Sequence, residues 1–470
     1  MRVRVREVGF FVTECRTQLP FRFGAATVTW APLLTARVAI ETEDGRASEG
    51  FSADLMMPRW FDKDPAKSVG DNVRDLAGSA RAAARKYVEL PPGRVFDLWL
   101  ETYRAAPDGL VEGFGLALVE RAVMDATCRA VETSFFRALK DDLFGFDPGK
   151  ALPALDGWSL AASLPEEPVG SVRVRHTIGL ADELADLEQE IARHGLTCFK
   201  LKLSGEPRAD ARRLLDLAAV LDEISRRSRG VSRRSPGGAE LTVDANEQYG
   251  DPVELARVLD AVSTDDAGAR LLRGLLHIEQ PVSRALSLEP GVEEGIAALS
   301  AFAPVILDEA DIGIESFPRA IELGYRGVSV KNCKGVFRTL LNRGVCETRE
   351  PGLFQSAEDL TNLPVLALQQ DLATIAALGL PHAERNGHHY FPGLRHLPPG
   401  EARAALAAHP DLYAERDGEI YLRIEDGALA LGSIQTIGYG YDVPIDLGDM
   451  GDTGDVAART PLDDWECPED

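Results

Sequence analysis

Thr197-Cys-Phe-Lys-Leu-Lys-Leu203 reads as a short buried strand with Lys200 and Lys202 on one face, because strand side chains alternate with a period of two. A helical pattern follows over 208–226, and then a second short strand pattern, Leu241-Thr-Val-Asp244-Ala-Asn246. The same rhythm continues outward in both directions. Strand patterns fall near 172–179, 197–203, 241–246, 275–281, 304–309, 327–333, 352–355 and 381–385. Helical patterns over 182–194, 208–226, 252–262, 291–302, 316–323, 335–346 and 365–379 separate them. Strands alternating with helices in this number predict a (β/α)8 barrel, of the α/β class. A doubly wound open sheet is the competing architecture, and it usually needs fewer units.

The flanks read differently. Val3, Val5 and Val8 alternate with polar residues, and Arg37-Val-Ala-Ile-Glu-Thr-Glu-Asp-Gly45-Arg reads as a hairpin with an Asp-Gly turn. From about Ser68 to Leu139 the pattern is helical. Strands followed by packed helices predict an α+β domain over 1–150, ahead of a barrel over 151–395. Beyond it, 396–470 reads as an extension. Its strands at 419–424 and 428–437 would form a hairpin around Asp426-Gly427, packed back on the first domain, and an acidic, poorly ordered tail would start at Asp446. Arg226–Gly238 is a basic Gly/Ser/Pro-rich insertion that reads as a solvated loop.

The chain has 470 residues, with 51 Lys+Arg against 75 Asp+Glu, a formal charge of 51 − 75 = −24. That balance argues against a nucleic-acid partner and against docking on an anionic membrane. The longest nearly apolar stretch, Gly295–Leu307, is too short to span a bilayer and contains Pro304. The start, Met1–Arg6, has a strand pattern rather than the apolar core of a signal peptide. Six sparse cysteines without a C-x-x-C fit a reducing cytoplasm.

In a barrel the chemistry sits at the C-terminal strand ends. There the sequence places Lys200 and Lys202 on the second strand, Asp244 and Asn246 on the third, and His277 and Glu279 on the fourth. Asp308-Glu309 ends the fifth strand and Lys331 the sixth. Asp244, Glu279 and Asp308 thus stand at matching heights on consecutive strands. Three inward carboxylates in an apolar cylinder repel one another and are costly to desolvate. A hard cation removes that cost, and all-oxygen ligation suits Mg²⁺ better than Zn²⁺. A chelated carboxylate substrate becomes more acidic at its α-carbon, and flanking lysines can then move the proton.

The set Lys200-x-Lys202, Asp244-x-Asn246, Glu279-Gln-Pro281, Asp308-Glu309 and Lys331 resembles the enolase superfamily, most closely its muconate-lactonizing-enzyme-like subgroup. The resemblance spans roughly residues 1–395 and implies a cap domain over a modified TIM barrel. It implies Asp244, Glu279 and Asp308 as ligands of Mg²⁺, with Mn²⁺ as an alternative ion. Lys202 and Lys331 would be the acid/base pair, Lys200 would bind or polarise the substrate carboxylate, and Asn246 would support it. Cap loops near Thr17–Thr29 and Phe51–Trp60 would shape specificity, with Phe21, Arg22, Phe23, Met56, Met57 and Trp60 facing substrate. Arg385 at the eighth strand would pair with a second substrate anion. The implied activity is proton abstraction α to a carboxylate, through an enediolate, in a racemase, epimerase or cycloisomerase. A β-eliminating lyase and a non-catalytic binding barrel are the rival readings. The expected partner is a small carboxylate, and the expected assembly is a homo-oligomer.

Several features depart from the resemblance. Ala310 stands where the subgroup often has Ser, and Lys334-Gly335-Val336 lacks an intact glycine pair. The eighth-strand stretch Pro381–Tyr390 has no Asp-x-Asp, which argues against a dipeptide substrate. The seventh strand lacks a histidine, which argues against the mandelate-racemase-like and sugar-acid-dehydratase-like subgroups. Lone features have plainer readings too. Glu309 reads as a structural ion pair, Lys334 as an ordinary helix residue, and His277 as a satisfied core histidine. His382, His388, His389 and His396 match no helical metal-ligand spacing.

Overall fold

The structure is a computed structural model that describes residues 1–24, 26–228, 239–447 and 459–467. Most of the basic insertion and most of the acidic tail therefore lie outside the described residues. Among the described residues no helix is long and apolar enough to cross a membrane.

The chain opens with three antiparallel strands, β1 (Val3–Phe23), β2 (Ala26–Thr42) and β3 (Ala47–Leu55). β1 and β2 form one long hairpin, from Val3↔Thr42 to Phe23↔Ala26. The predicted Asp44-Gly45 turn joins β2 to β3, and Gly45 supplies the positive φ of 84° that the turn requires. Two long helices, Val69–Glu89 and Leu110–Ala130, pack on this sheet. The first starts at a reciprocal cap in which Ser68 and Asp71 satisfy each other's backbone N–H.

The barrel strands are β4 (Ser171–Ile178), β5 (Cys198–Lys202), β6 (Glu240–Asp244), β7 (Leu275–Glu279), β8 (Val305–Leu307), β9 (Gly327–Val330), β10 (Phe354–Ala357) and β11 (His382–Arg385). All eight fall where the strand patterns predict them. They are parallel, and β11 closes on β4 with Arg385 opposite His176. The cylinder is therefore complete, with helices in each crossover. The tip of the β1–β2 hairpin reaches the barrel rim. There Leu180 N–H donates to Arg22 O and the Phe21 ring stacks on Tyr390 at 4.2 Å.

The extension differs from its prediction. The hairpin is formed by β12 (Tyr413–Arg416) and β13 (Glu419–Leu422), around Asp417-Gly418 rather than Asp426-Gly427. Both Asp-Gly pairs take positive φ, so their local chemistry is the same. Tertiary context separates them. The start of β4 overhangs β5, whose pairing begins only opposite Arg175. β14 (Ala428–Ala430) fills that open edge, antiparallel to Ser171–Arg173. The chain then returns to the cap, where Tyr439 stacks on Phe135 at 3.8 Å and the Tyr441 hydroxyl donates to Asp125. Residues 459–467 are also placed: Arg459 makes a two-armed pair with Glu401, and β15 (Thr460–Pro461) adds to β1. A strand edge and a buried carboxylate thus order a segment whose composition reads as a loose tail.

The sheet-to-helix contact in the cap rests on Gly50. A Cβ there would stand 2.2 Å from Ala126 N and 2.3 Å from Ala122 O. Both are backbone atoms of one helix and cannot yield singly. Gly50→Ala should cost about 1–3 kcal/mol of stability through overpacking, read as a lower denaturation midpoint.

Candidate active site

Strand register builds the mouth of the barrel. Lys202 lies opposite Asp244, and Asp244 opposite Glu279, on neighbouring strands. Asp308 follows the end of β8, and Lys331 follows β9. In the closed order, β5 and β9 are four strands apart, so Lys202 and Lys331 rise from opposite walls. Asp244, Glu279, Asp308 and Lys200 are fully buried, and Lys202 and Lys331 nearly so.

The centre of the site is the Lys200 ammonium. It lies 2.7 Å from Glu279, 2.8 Å from Glu358, 2.9 Å from Glu384 and 3.0 Å from Asp244. Lys200 was expected to meet the substrate carboxylate; instead it is enclosed by protein carboxylates. Lys202 donates to Asp244 at 2.6 Å. Asp308 is held by Lys331 at 2.7 Å, Lys334 at 2.9 Å and the Ser329 hydroxyl at 2.6 Å. Lys334 is thus not an ordinary helix residue. It sits in a 3₁₀ turn over Asn332–Lys334 that aims it into the barrel.

Burial raises the proton affinity of Asp244, but Lys200 and Lys202 outweigh it and hold the carboxyl below its usual range. Asp308 is likewise lowered, with Lys331 and Lys334 overcoming its burial. Glu279 goes the other way, raised by burial and by the charges of Asp244 and Glu358. Lys331 stays firmly protonated beside Asp308 despite its burial. His277 is pushed down to about 4, chiefly by burial, so it is a neutral core imidazole beside Glu358.

The set Asp244, Glu279 and Asp308 suits a hard divalent cation. Its donors are all carboxylate oxygens. Glu279 Oε1 is buried without a hydrogen-bond donor, and Oε2 faces the Lys200 ammonium. Asp244, Asp308 and Glu279 also stand close enough for their charges to act on one another. These features fit Mg²⁺ between the three, and the raised proton affinity of Glu279 is what such a cation would relieve. The three do not form the tightest potential ligand group. Among the described residues, His277, Glu279 and Glu358 alone bring His, Cys or carboxylate ligand atoms within 4.8 Å of one another. Lys200 stands between Asp244 and Glu279. If a metal takes those two carboxylates, Glu358 and Glu384 remain to hold Lys200.

Other predicted residues are placed as follows. The Trp60 ring lies under the Lys331 ammonium, 4.5 Å away, so this cap residue does reach the mouth. Phe21 is buried against Tyr390 and Phe23 at the hairpin tip. Asn246 turns its amide to Glu309 at 3.1 Å. Arg385 does not face substrate. It is buried outside the lumen, where it pairs with Asp371 at 2.5 Å and Asp359 at 3.3 Å. Glu384, one residue earlier, has the inward face. Among His382, His388, His389 and His396, His382 lies beside Arg175, and His396 bonds Pro364 O. Sequence reasoning gave no role to Arg175, which pairs with Glu358, or to Lys63 of the cap, which bridges Glu247 at 2.5 Å and Glu309 at 3.5 Å. Parity along β4 and β11 carried the signal for Arg175 and Glu384; nothing local marked Lys63.

The sequence matches no protein-family model and no curated protein. Solved structures do share its shape. Muconate lactonizing enzyme from Pseudomonas fluorescens, complexed with muconolactone, aligns at 15% identity and TM-score 0.62, over 94% of this chain and 97% of that one. A dipeptide epimerase from Enterococcus faecalis, complexed with Mg and L-Leu-L-Tyr, aligns at 14% and 0.61, over 93% and 99%. L-talarate/galactarate dehydratase from Salmonella typhimurium aligns at 15% and 0.59, over 94% and 92%. The chain therefore shares the capped-barrel fold of these solved structures.

Removing the central cation should leave four buried carboxylates facing one another. Lys200→Met is expected to cost about 3–5 kcal/mol of stability, as for other broken buried pairs. Millimolar Mg²⁺ should restore part of it. Urea denaturation with and without Mg²⁺ measures both.

Proposed function

We propose that this chain is a Mg²⁺-dependent enzyme that moves the proton α to a substrate carboxylate, working as a racemase, epimerase or cycloisomerase. The observation that carries this reading is the pair Lys202 and Lys331 on opposite walls, with Asp244, Glu279 and Asp308 between them. Asp244, Glu279 and Asp308 would hold the metal. When bound, Mg²⁺ would polarise the substrate carboxylate and neutralise the charge it gains as the proton leaves.

The remaining work falls to the chain's own groups. One lysine amine takes the proton from one face of the α-carbon, and the opposite ammonium returns a proton to the other face. Asp244 and Asp308 each touch one of these lysines, orienting both amines towards the cavity axis. Trp60 covers Lys331 and limits water there. Lys63 and Arg284 pin the cap: Arg284 donates to Trp60 O and Phe61 O while gripping Glu247. Excluding bulk water from the mouth strengthens the electrostatic contacts inside it.

The enzymes of similar fold include cycloisomerases, an epimerase and a dehydratase, so the outcome at the substrate needs its own test. Candidate N-acyl amino acids, hydroxy acids and cyclohexene carboxylates are incubated with enzyme and Mg²⁺ in D₂O. Deuterium at the α-carbon with inverted product supports isomerisation. An unsaturated product points to elimination, and no exchange with any acid removes the proposal. Lys202→Ala and Lys331→Ala should each lower turnover by about 10²–10⁴-fold while Mg²⁺ binding by calorimetry is largely retained. Exchange that persists from both enantiomers in each variant overturns the two-base scheme.

A further inference from the structure

The two lysines of the mouth are held by different parts of the molecule. Lys202 ends β5, and the loop after it is fastened within the barrel. Asp210, on the helix Pro207–Ser228, accepts from the Ser204 N–H at 2.8 Å, the Ser204 hydroxyl at 2.7 Å and the Gly205 N–H at 3.0 Å. Lys331 is followed by the 3₁₀ turn Asn332–Lys334, then by Gly335 and the helix Val336–Thr348. Gly335 heads that helix and has no side chain with which to cap it. The acceptor comes from the cap domain instead. Glu120, on the helix Leu110–Ala130, takes the Val336 N–H on its Oε1.

We propose that Glu120 is a positioning residue for Lys331: a carboxyl of the cap domain that clamps the turn carrying Lys331 and Lys334. The proposal rests on the two-lysine reading of the mouth. The turn is closed by its own hydrogen bonds, from Lys334 N–H to Lys331 O at 2.9 Å and from Gly335 N–H to Asn332 O at 3.0 Å. A hold on Val336 therefore reaches back to Lys331 through a single turn of chain. It also steadies Lys334, which donates to Ser329 and pairs with Asp308. The fit against Glu120 is close. A Cβ on Gly335 would stand 3.2 Å from Glu120 Oε1, and the φ of 110° there favours glycine. A second tie holds the start of the turn. The Thr374 hydroxyl donates to Asn332 Oδ1 at 3.1 Å and lies 2.6 Å from the Tyr439 hydroxyl of the returning chain.

Two observations separate this clamp from ordinary packing. Glu120 is fully buried, yet its Oε2 has no hydrogen-bond partner. A buried, unpartnered oxygen is unfavourable, and a leucine of similar volume would fill the same space without it. What glutamate adds is the acceptor at Oε1. Burial pushes its carboxyl up to about 8, against the pull of the Val336 N–H and of Arg121. At neutral pH it is therefore largely a neutral acid, and an amide can stand in for it. The second observation is the asymmetry between the walls. Lys202 and Asp210 both belong to the barrel, whereas the Lys331 turn is tied to the cap. Loosening Glu120 would disturb one lysine and spare the other, so docking of the cap sets the chemistry of one face of the α-carbon.

The test compares Glu120→Leu, which keeps the volume and removes the acceptor, with Glu120→Gln, which keeps both, in full-length protein with saturating Mg²⁺. The first readout is amide hydrogen exchange, which needs no substrate. In the leucine variant the segment 331–337 should exchange about 10–100-fold faster, the loss expected for one buried hydrogen bond, while 198–205 keeps its rate. The glutamine variant should match the unaltered protein. The second readout is α-deuterium uptake from each enantiomer of an acid that the unaltered protein exchanges. Glu120→Leu should slow, by about 10–100-fold, the enantiomer whose exchange is lost in Lys331→Ala, and spare the other. Asp210→Ala should slow the opposite enantiomer. Glu120→Ala takes the place of the leucine variant if leucine unfolds the cap. Unchanged amide exchange over 331–337 overturns the clamp. Equal slowing of both enantiomers, or slowing of neither, overturns the positioning role. An unaltered protein that exchanges no acid removes the two-lysine reading, and amide exchange alone then decides the clamp.

Discussion

An ammonium ion ringed by four carboxylates is the constraint around which this molecule is organised. Lys200 touches Asp244, Glu279, Glu358 and Glu384 from four different strand ends, all out of water. Isolated, any of these charges would be prohibitively costly to bury. Together they are matched: Asp244, Glu279, Asp308, Glu358 and Glu384 face Lys200, Lys202, Lys331, Lys334 and Arg175. Such a network is weak evidence for stability, because a packed apolar core does as well or better. Its presence in the middle of a barrel supports the proposed role of the mouth as an active site.

The rest of the structure serves to hold that network dry and in register. Closure of β11 on β4 fixes the ring of strand ends. Gln280 ties β7 to the end of β8 by accepting from the N–H groups of Asp308 and Ala310. The cap supplies the lid, with Trp60 over Lys331 and Lys63 and Arg284 fastening the loop beneath it. The extension after the barrel covers the exposed edge of β4 and then locks onto the cap through Tyr439, Tyr441 and β15. Cap and barrel are thereby joined twice, once at the mouth and once through the returning chain.

Legibility varied with the range of the interaction. Barrel strands were visible because each is a short apolar run, and burial on both faces demands that composition. Lys202, Asp244, Glu279 and Asp308 stood out because they are polar residues at the ends of such runs. Lys334 and Lys63 did not, since a lysine in a turn or a cap loop carries no local mark of burial. Arg385 and Glu384 show the limit of parity. Adjacent residues must point opposite ways, yet only the closed sheet tells which of the two faces the axis. The two Asp-Gly turns make the same point, for identical dipeptides became a paired hairpin in one case and a docked corner in the other.

The sequence by itself determined the alternation of strands and helices, the order of charged residues along the rim, and the acid excess. These depend on composition and on periods of two and 3.6, which are properties of neighbouring residues. Tertiary structure alone decided that Lys200 is enclosed by carboxylates, that Arg385 pairs with Asp371 and Asp359, and that His176 of β4 meets His388 of the segment after β11. Each of those outcomes requires residues tens to hundreds of positions apart to meet, and it is closure of the barrel that brings them together.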